Sequence, residues 1–211
     1  YGVDPVYEAQ AGEKETDFRS YLLKAKATNP DALVCSGLVD ETVRCLVQSY
    51  EVGIPKSVAR VANSVASKVE VPTNAGKAAV GVSYAAAFAA SDTRPIAKDF
   101  VKHIKKRYGV VPGHDFSQME DLLTMLKPAL EKAEKGFSGD LASDRKAVRD
   151  AIAGITNFTG LASGPISFCA AGSPECRDGN RTPVMIEYTK GGKNWKTKVA
   201  GTVTFNASAG L

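Results

Sequence analysis

The sequence predicts an α/β protein whose strands form a parallel sheet. Short apolar runs alternate with longer segments of helical periodicity, and turn residues separate them. The apolar run from Asp31 to Cys35 is followed by Ser36-Gly37 and then by a helical pattern from about Val39 to Val52. A strand, a turn, a helix and another strand in quick succession make a βαβ unit, in which the strands are parallel. We therefore expect helices layered on a parallel sheet.

The first part of the chain supplies these units in order. An extended segment, Gly2 to Gln10, precedes a helix that Thr16-Asp17 would cap and Asn29-Pro30 would end. The Asp31–Cys35 strand should be covered on both faces, because it is continuously apolar. Further strands are predicted near Ser57 to Val61 and at Ala78 to Val82. The small-residue stretch from Ser83 to Phe88 is interpreted as a connection between two lobes.

Helical patterns dominate from Arg94 to Gly154, and β-type segments follow. Helices are predicted at about Pro95 to Tyr108, at Asp115 to Lys135 and from Ser143-Asp144 to Ala153. Pro128 lacks a backbone donor and should kink or divide the second of these helices. The later strands are Pro165–Phe168, Pro183–Thr189 and Trp195–Val199, with a hairpin turn at Gly191-Gly192. A chain that leaves one layered unit and later returns to it makes lobes that are discontinuous in sequence.

Composition is that of an ordinary folded protein. Of the 211 residues, 24% are charged and 44% hydrophobic, and 27 basic residues stand against 23 acidic ones. The basic residues are dispersed along the chain, so nucleic acid is not an expected partner. No apolar stretch is long enough to cross a bilayer. The chain begins at Tyr1 without a signal segment, so we interpret its start as processed or as that of a fragment.

Motifs that carry catalysis are missing from the sequence. It has no GxSxG elbow, no phosphate-binding loop, no GxGxxG after a strand and no HExxH. His103 lies in a basic helical segment and His114 in a Pro-Gly loop, which favours solvated roles for both. The sequence therefore predicts no catalytic residue, no metal site and no cofactor, and binding is the favoured class of function.

The four cysteines form two pairs that are close in sequence. Cys169 and Cys176 bracket a turn-rich loop, and we predict a disulfide between them, with two unlinked thiols as the alternative. Such a bond would indicate an oxidising compartment. For Cys35 and Cys45, burial as small apolar side chains is at least as strongly favoured as a bond.

Candidate ligand-binding residues follow two of the predicted strands. In an open parallel sheet, ligands bind beyond the carboxyl ends of the strands. One candidate loop comprises Ser36, Gly37, Leu38 and Val39, where a hydroxyl and helix-terminal amides would suit a carboxylate. The other is Asn63-Ser64, although both are also good turn and cap residues. Tyr84, on the connection between lobes, is expected either to line the cleft or to pack in the hinge.

Five segments in order resemble the leucine/isoleucine/valine-type solute-binding proteins, which have the type I periplasmic-binding-protein fold. Each motif is short, but together they span about Gly2 to Val199. The matching segments are Glu15 to Val34 with its ETDFR and NPDALV motifs, Gln48 to Gly53, Phe100 to Gly109, Arg145 to Ile155, and Phe158 to Gly160 together with Gly164 to Phe168.

This resemblance implies a domain plan with three segments and an N-terminal part that is absent. Residues 1–86 would begin the second lobe, 87–157 would be the helical portion of the first lobe, and 158–211 would return to the second lobe with a β-rich tail. In the amino-acid-binding members an acidic residue near the position of Asn63 pairs with the ammonium of the ligand. The amide found here weakens that interpretation.

The resemblance also implies a function and partners. The protein would be the substrate-binding component of an ABC-type uptake system, exported to the periplasm or the exterior. It would bind an amino-acid-like, amide or aromatic or aliphatic acid ligand in an inter-lobe cleft and deliver it to membrane permease subunits. When complete it would be monomeric. The alternative is a ligand-sensing regulator or receptor domain of the same fold.

Overall fold

The computed structural model of the protein describes residues 4–12, 15–162, 165–168 and 182–202. Helices and strands alternate along the first part, helices follow, and two strands end the described chain. The helices are α1 (Arg19–Ala27), α2 (Val39–Glu51), α3 (Glu70–Ala75), α4 (Pro95–Tyr108), α5 (His114–Glu134) and α6 (Leu141–Ala153). The strands are β1 (Ala32–Cys35), β2 (Ala59–Ala62), β3 (Val82–Ala86), β4 (Val184–Lys190) and β5 (Lys196–Thr202).

Two units divide these residues. One contains Tyr1–Ala85 and Met185–Ala200, and the other contains Ala86–Val184 and Gly201–Leu211. The chain therefore leaves the first unit after β3 and returns to it with β4. The correspondence of these units to the lobes predicted at 1–86, 87–157 and 158–211 stays a prediction.

The first unit is organised by a sheet with the order β1-β2-β3-β4-β5. Strands β1 and β2 are parallel, and so are β2 and β3. An apolar cluster of Phe18, Leu22, Ile54 and Val58 packs beside it, with Leu33 and Cys45 at its margin. These side chains come from α1, β1, α2 and the segment before β2, so burial of one helix stripe and one sheet face holds the βαβ unit together.

Strand β1 differs from the expectation of cover on both faces. Val34 is 66% exposed, whereas Cys35 is buried. The strand lies at an end of the described sheet order, so only β2 flanks it there. A continuous apolar run does not by itself distinguish a central strand from an edge strand.

The strand predicted at Ala78 to Val82 was placed too early. Residues Gly76–Ala79 form a 3₁₀ helix, and β3 begins at Val82, inside the stretch interpreted as a connection between lobes. Gly81, with φ of +82°, turns the chain immediately before β3. Helix α3 and the 3₁₀ helix Ser64–Ser67 were not predicted either, because a six-residue helix that contains Pro72 shows no helical periodicity.

A disulfide joins Cys35, at the end of β1, to Cys45 in α2. The preference for burial as free thiols was therefore wrong. Cys45 lies ten residues after Cys35 on the face of α2 that packs against the apolar cluster. The predicted pair Cys169 and Cys176 lies outside the described residues, so that bond stays a prediction.

The second unit is built mainly from helices. Helix α4 begins at Pro95 and ends before Gly109, which adopts φ of +72°, as the sequence predicts. Helix α5 runs through Pro128 without interruption, so the predicted division of this helix was wrong. Helix α6 begins two residues earlier than predicted. Its cap is Asp140, whose carboxylate accepts the Ser143 amide at 2.8 Å, while Asp144 accepts the amides of Ser138 and Gly139.

An irregular segment at residues 160–162 is held from two sides. The carboxylate of the buried Asp121 on α5 accepts the Leu161 amide at 2.6 Å and the Ala162 amide at 2.7 Å. Arg94 donates to the carbonyls of Gly160 and Leu161 and pairs with Asp92. Both oxygens of a buried carboxylate are thus satisfied, which removes most of the cost of burying it.

Candidate functional site

The carboxyl ends of the parallel strands lie side by side. In the ladder Cys35 is opposite Ala62, and Ala62 is opposite Tyr84. The loop after β1 and the loop after β2 therefore emerge next to each other at the same edge of the sheet. This is the edge at which open parallel sheets bind ligands.

Gly37 joins the two loops. Its carbonyl accepts the Asn63 side-chain amide at 2.9 Å and the Thr42 hydroxyl at 3.3 Å. A β-carbon on Gly37 would lie 2.7 Å from Cβ of Glu41, so a larger residue would push the loop away from the first turn of α2. The structure thus brings two of the predicted site residues, Gly37 and Asn63, into direct contact.

The start of α2 presents free backbone donors. Leu38 is the N-cap residue, and no side chain caps this end. The first-turn amides of any helix lack helical acceptors and carry partial positive charge. Leu38 is 72% exposed, Ser36 is exposed and Val39 is half-buried, so the loop can be reached from solvent.

Acidic side chains already occupy this helix start. Asp40 and Glu41 both lie in the first turn of α2. Two carboxylates at a helix N-terminus complement its dipole and disfavour a further anion nearby. The expectation that Ser36 and these amides hold a carboxylate is not tested by the structure, but the local charge does not favour it.

The second loop continues from β2 into the 3₁₀ helix Ser64–Ser67. Asn63 is its N-cap residue but makes no capping hydrogen bond, because its amide group is turned to Gly37 instead. Ser64 is half-buried. The simple cap function that the sequence allowed for Asn63 is therefore not the one that its side chain performs.

Tyr84 lies in the interior of the first unit. It is 4% exposed, and its ring centroid is 5.3 Å from that of Tyr188 on β4. Tyr188 in turn contacts Trp195 edge-to-face at 6.2 Å, and its hydroxyl donates to the Ala66 carbonyl. Burial raises the pKa of Tyr84 to about 12 and raises that of Tyr188 further. A role of Tyr84 in lining a ligand site stays a prediction.

Sequence reasoning did not single out two features of this edge. The Cys35–Cys45 disulfide ties the last residue of β1 to α2 directly before the Ser36-Gly37 loop. Glu41 contacts Gly37 from the first turn of α2. The signal for both was helical spacing, because residues in α2 that face back toward β1 can be identified from the apolar stripe of Leu46 and Cys45.

Two classes of structure are not found among the described residues. No helix in that part of the chain is both long enough and apolar enough to span a bilayer. Within the same ranges, no group of three or more His, Cys, Asp or Glu residues is arranged to hold a metal ion.

Comparison with known proteins gives matches of two kinds. A family model described as periplasmic binding protein matches residues 1–177. The leucine binding protein LivK from Thermotoga maritima is similar in structure, with a TM-score of 0.72 and 24% identity over 90% of this chain and 49% of that chain. A comparison with curated protein sequences found no match.

Two further solved structures are similar over the same span. The substrate binding protein LivJ of a branched-chain amino acid transporter from Streptococcus pneumoniae, in complex with isoleucine, has a TM-score of 0.72 and 22% identity over 92% of this chain and 50% of that one. An ABC transporter solute binding protein from R. palustris, in complex with benzoate, has a TM-score of 0.73 and 16% identity over 94% and 51%.

This chain spans about half the length of these solved structures. At such identities the structural likeness shows the fold, and the predicted type I periplasmic-binding-protein fold is confirmed. The family model covers most of the chain. The chain belongs to the periplasmic binding protein family.

Proposed function

We propose that the protein is the substrate-binding component of an ABC-type uptake system. It binds a small polar or amphipathic metabolite without chemical change and delivers it to a membrane permease. The observation that carries this proposal is the convergence of the loops after β1 and β2 at the carboxyl ends of parallel strands, where Gly37 and Asn63 meet beside the uncapped start of α2. Parallel sheets bind small molecules at this edge.

Relatives support the same class of function. The printed names of the similar structures are those of leucine, branched-chain amino acid and aromatic-acid binders of ABC transporters. These relatives include binders of both zwitterions and simple carboxylates. They support uptake as the function and leave the ligand to be decided from the residues of this chain.

Export is part of the proposal. Disulfides persist in oxidising compartments and are rare in the cytosol. The Cys35–Cys45 bond therefore supports a periplasmic or extracellular location. Permease subunits are the proposed protein partners, and a monomeric state of the complete protein stays a prediction.

Ligand screening tests the function. The protein at its full encoded length would be heated with amino acids, amides and aromatic or aliphatic acids, each supplied singly. A ligand at about 100 times its Kd stabilises the folded state by roughly 2.7 kcal/mol, which raises the melting temperature measurably. If no compound in such a panel raised the melting temperature, the proposed uptake function would be refuted.

A further inference from the structure

Three buried polar atoms of the first unit have no hydrogen-bond partner among the described residues. They are Oε2 of Glu41, Oδ1 of Asn63 and Oγ of Ser67. Native proteins leave few such atoms unsatisfied, and each one needs an explanation. Two of the three belong to side chains that contact Gly37 at the candidate site.

The orientation of the Asn63 side chain is fixed. Its Nδ2 donates to the Gly37 carbonyl at 2.9 Å. Exchange of the two ends of the amide would place Oδ1 against that carbonyl, which has no hydrogen to donate. Oδ1 therefore remains an acceptor, and only a group with an N–H or O–H can satisfy it.

Glu41 presents a second acceptor at the same place. Its side chain takes part in no hydrogen bond or ion pair with any residue that the structure describes. An ionised carboxylate accepts hydrogen bonds and donates none, and a buried charge without a partner is costly. The group that would relieve both Glu41 and Asn63 is a cation with several donors.

Neighbouring charges point the same way. Asp40 lies beside Glu41 in the first turn of α2, so the edge carries two carboxylates. A ligand carboxylate placed here would be repelled, while a primary ammonium has three N–H donors and a positive charge. Glu41 and Asn63 are both half-buried residues next to the exposed Ser36 and Leu38, so a ligand can approach from that side.

On the proposed function, we propose that Glu41 and Asn63 form the subsite for the primary ammonium group of the ligand. The substrates are then small amino-acid-like zwitterions, and acids that lack an amino group are excluded. Glu41 supplies the charge that Asn63 lacks. The amide at position 63 is therefore no obstacle to an amino-acid ligand. Ser67 is not assigned a role, because none of its contacts connects it to Gly37.

Binding calorimetry on the full-length protein tests the subsite. The probes are standard amino acids and the matching acids without the amino group, for example L-leucine against 4-methylpentanoate, together with benzoate. We expect an amino acid to bind and its deaminated counterpart to bind weaker by about 100-fold, since a charge-assisted contact is lost. Equal binding of both members of a pair, or binding of benzoate alone, would overturn the subsite and leave the uptake function standing.

The variant Glu41→Gln identifies the residue. We expect it to weaken binding of the amino acid by about tenfold or more, because the charge is lost while the size is kept. Glu70→Gln is the matched control, since Glu70 is an exposed first-turn acid of α3. Equal affinities of the two variants would refute the role of Glu41. If no probe bound to any form, the subsite and the uptake function would fail together.

A stability measurement separates binding from structural support. Without ligand, Glu41→Gln should keep or raise the free energy of unfolding, because it removes a buried carboxylate that no residue satisfies. A structural carboxylate would instead lower that free energy on replacement. Loss of stability of Glu41→Gln relative to Glu70→Gln in urea unfolding would therefore contradict the subsite even without a ligand.

Discussion

Backbone contact at Gly191 shows how closely single residues fit. A β-carbon at this position would lie 1.7 Å from the carbonyl oxygen of Gly76, and the neighbouring Gly192 amide donates to the Pro72 carbonyl at 2.8 Å. The Gly191-Gly192 turn was predicted from sequence, and strands β4 and β5 do flank it. Its contact with Gly76 was not, because residues more than a hundred positions apart leave no local pattern.

Replacement of Gly191 tests this contact. Gly191→Ala should lower the free energy of unfolding by about 1–3 kcal/mol, because backbone atoms must shift to admit the methyl group. Gly201→Ala in β5 is the control, since a β-carbon there meets nothing within 4 Å. Urea unfolding of both variants measures the difference, and equal stabilities would show that the turn is not tightly packed.

Buried Tyr84 predicts a loss of stability at high pH. Its pKa is raised to about 12 in the folded protein, whereas an unfolded tyrosine titrates near 10. Below about pH 10 both states keep the proton. Between about pH 10 and 12 only the unfolded state loses it, so folding stability falls by roughly 3 kcal/mol for this group.

Removal of the Tyr84 hydroxyl should flatten this dependence. Tyr188 also has a raised pKa and remains in Tyr84→Phe, so this variant should lose stability less steeply between about pH 10 and 12 but not become flat. Tyr108→Phe, at an exposed position on α4, is the control. An unchanged slope in Tyr84→Phe would show that Tyr84 does not hold its proton more tightly in the folded state.

Helices and strands differ in how well sequence located them. Helix α4 was predicted at its observed bounds, because Pro95 begins it and a left-handed Gly109 follows its last residue. Strand β3 was misplaced by several residues, because the run of small apolar residues from Ala78 to Ala86 fits either a strand or a tight turn. Only the ladder with β2 decides between them.

The disulfide acts on one strand and one helix. Breaking it with Cys35→Ser and Cys45→Ser together should lower the free energy of unfolding by about 3 kcal/mol, the chain-entropy value for a loop of roughly ten residues. Adding a reducing agent should lower the stability of the wild type more than that of the double variant. Equal stability of oxidised wild type and double variant would contradict a bond that supports β1 against α2.

The whole molecule was recognisable from its ordered motifs, but the site was not. The order of α/β, helical and β segments and the five family-like segments predicted the fold, which the comparisons confirmed. Among the site residues, Gly37 and Asn63 were predicted because they follow parallel strands. Glu41 was missed, because an acid in a first helical turn is ordinary until its unpaired oxygen is seen beside Asn63. Local sequence reports elements well and tertiary contacts poorly.

The double hold on residues 160–162 has a consequence for hydrogen exchange. Backbone amides in irregular segments usually exchange quickly with solvent, because local opening costs little free energy. The amides of Leu161 and Ala162 are bound by the buried Asp121, and Arg94 holds the carbonyls of Gly160 and Leu161. They should therefore exchange as slowly as amides in the middle of α5. In Asp121→Asn, whose side chain offers a single acceptor oxygen, one of the two should lose this protection.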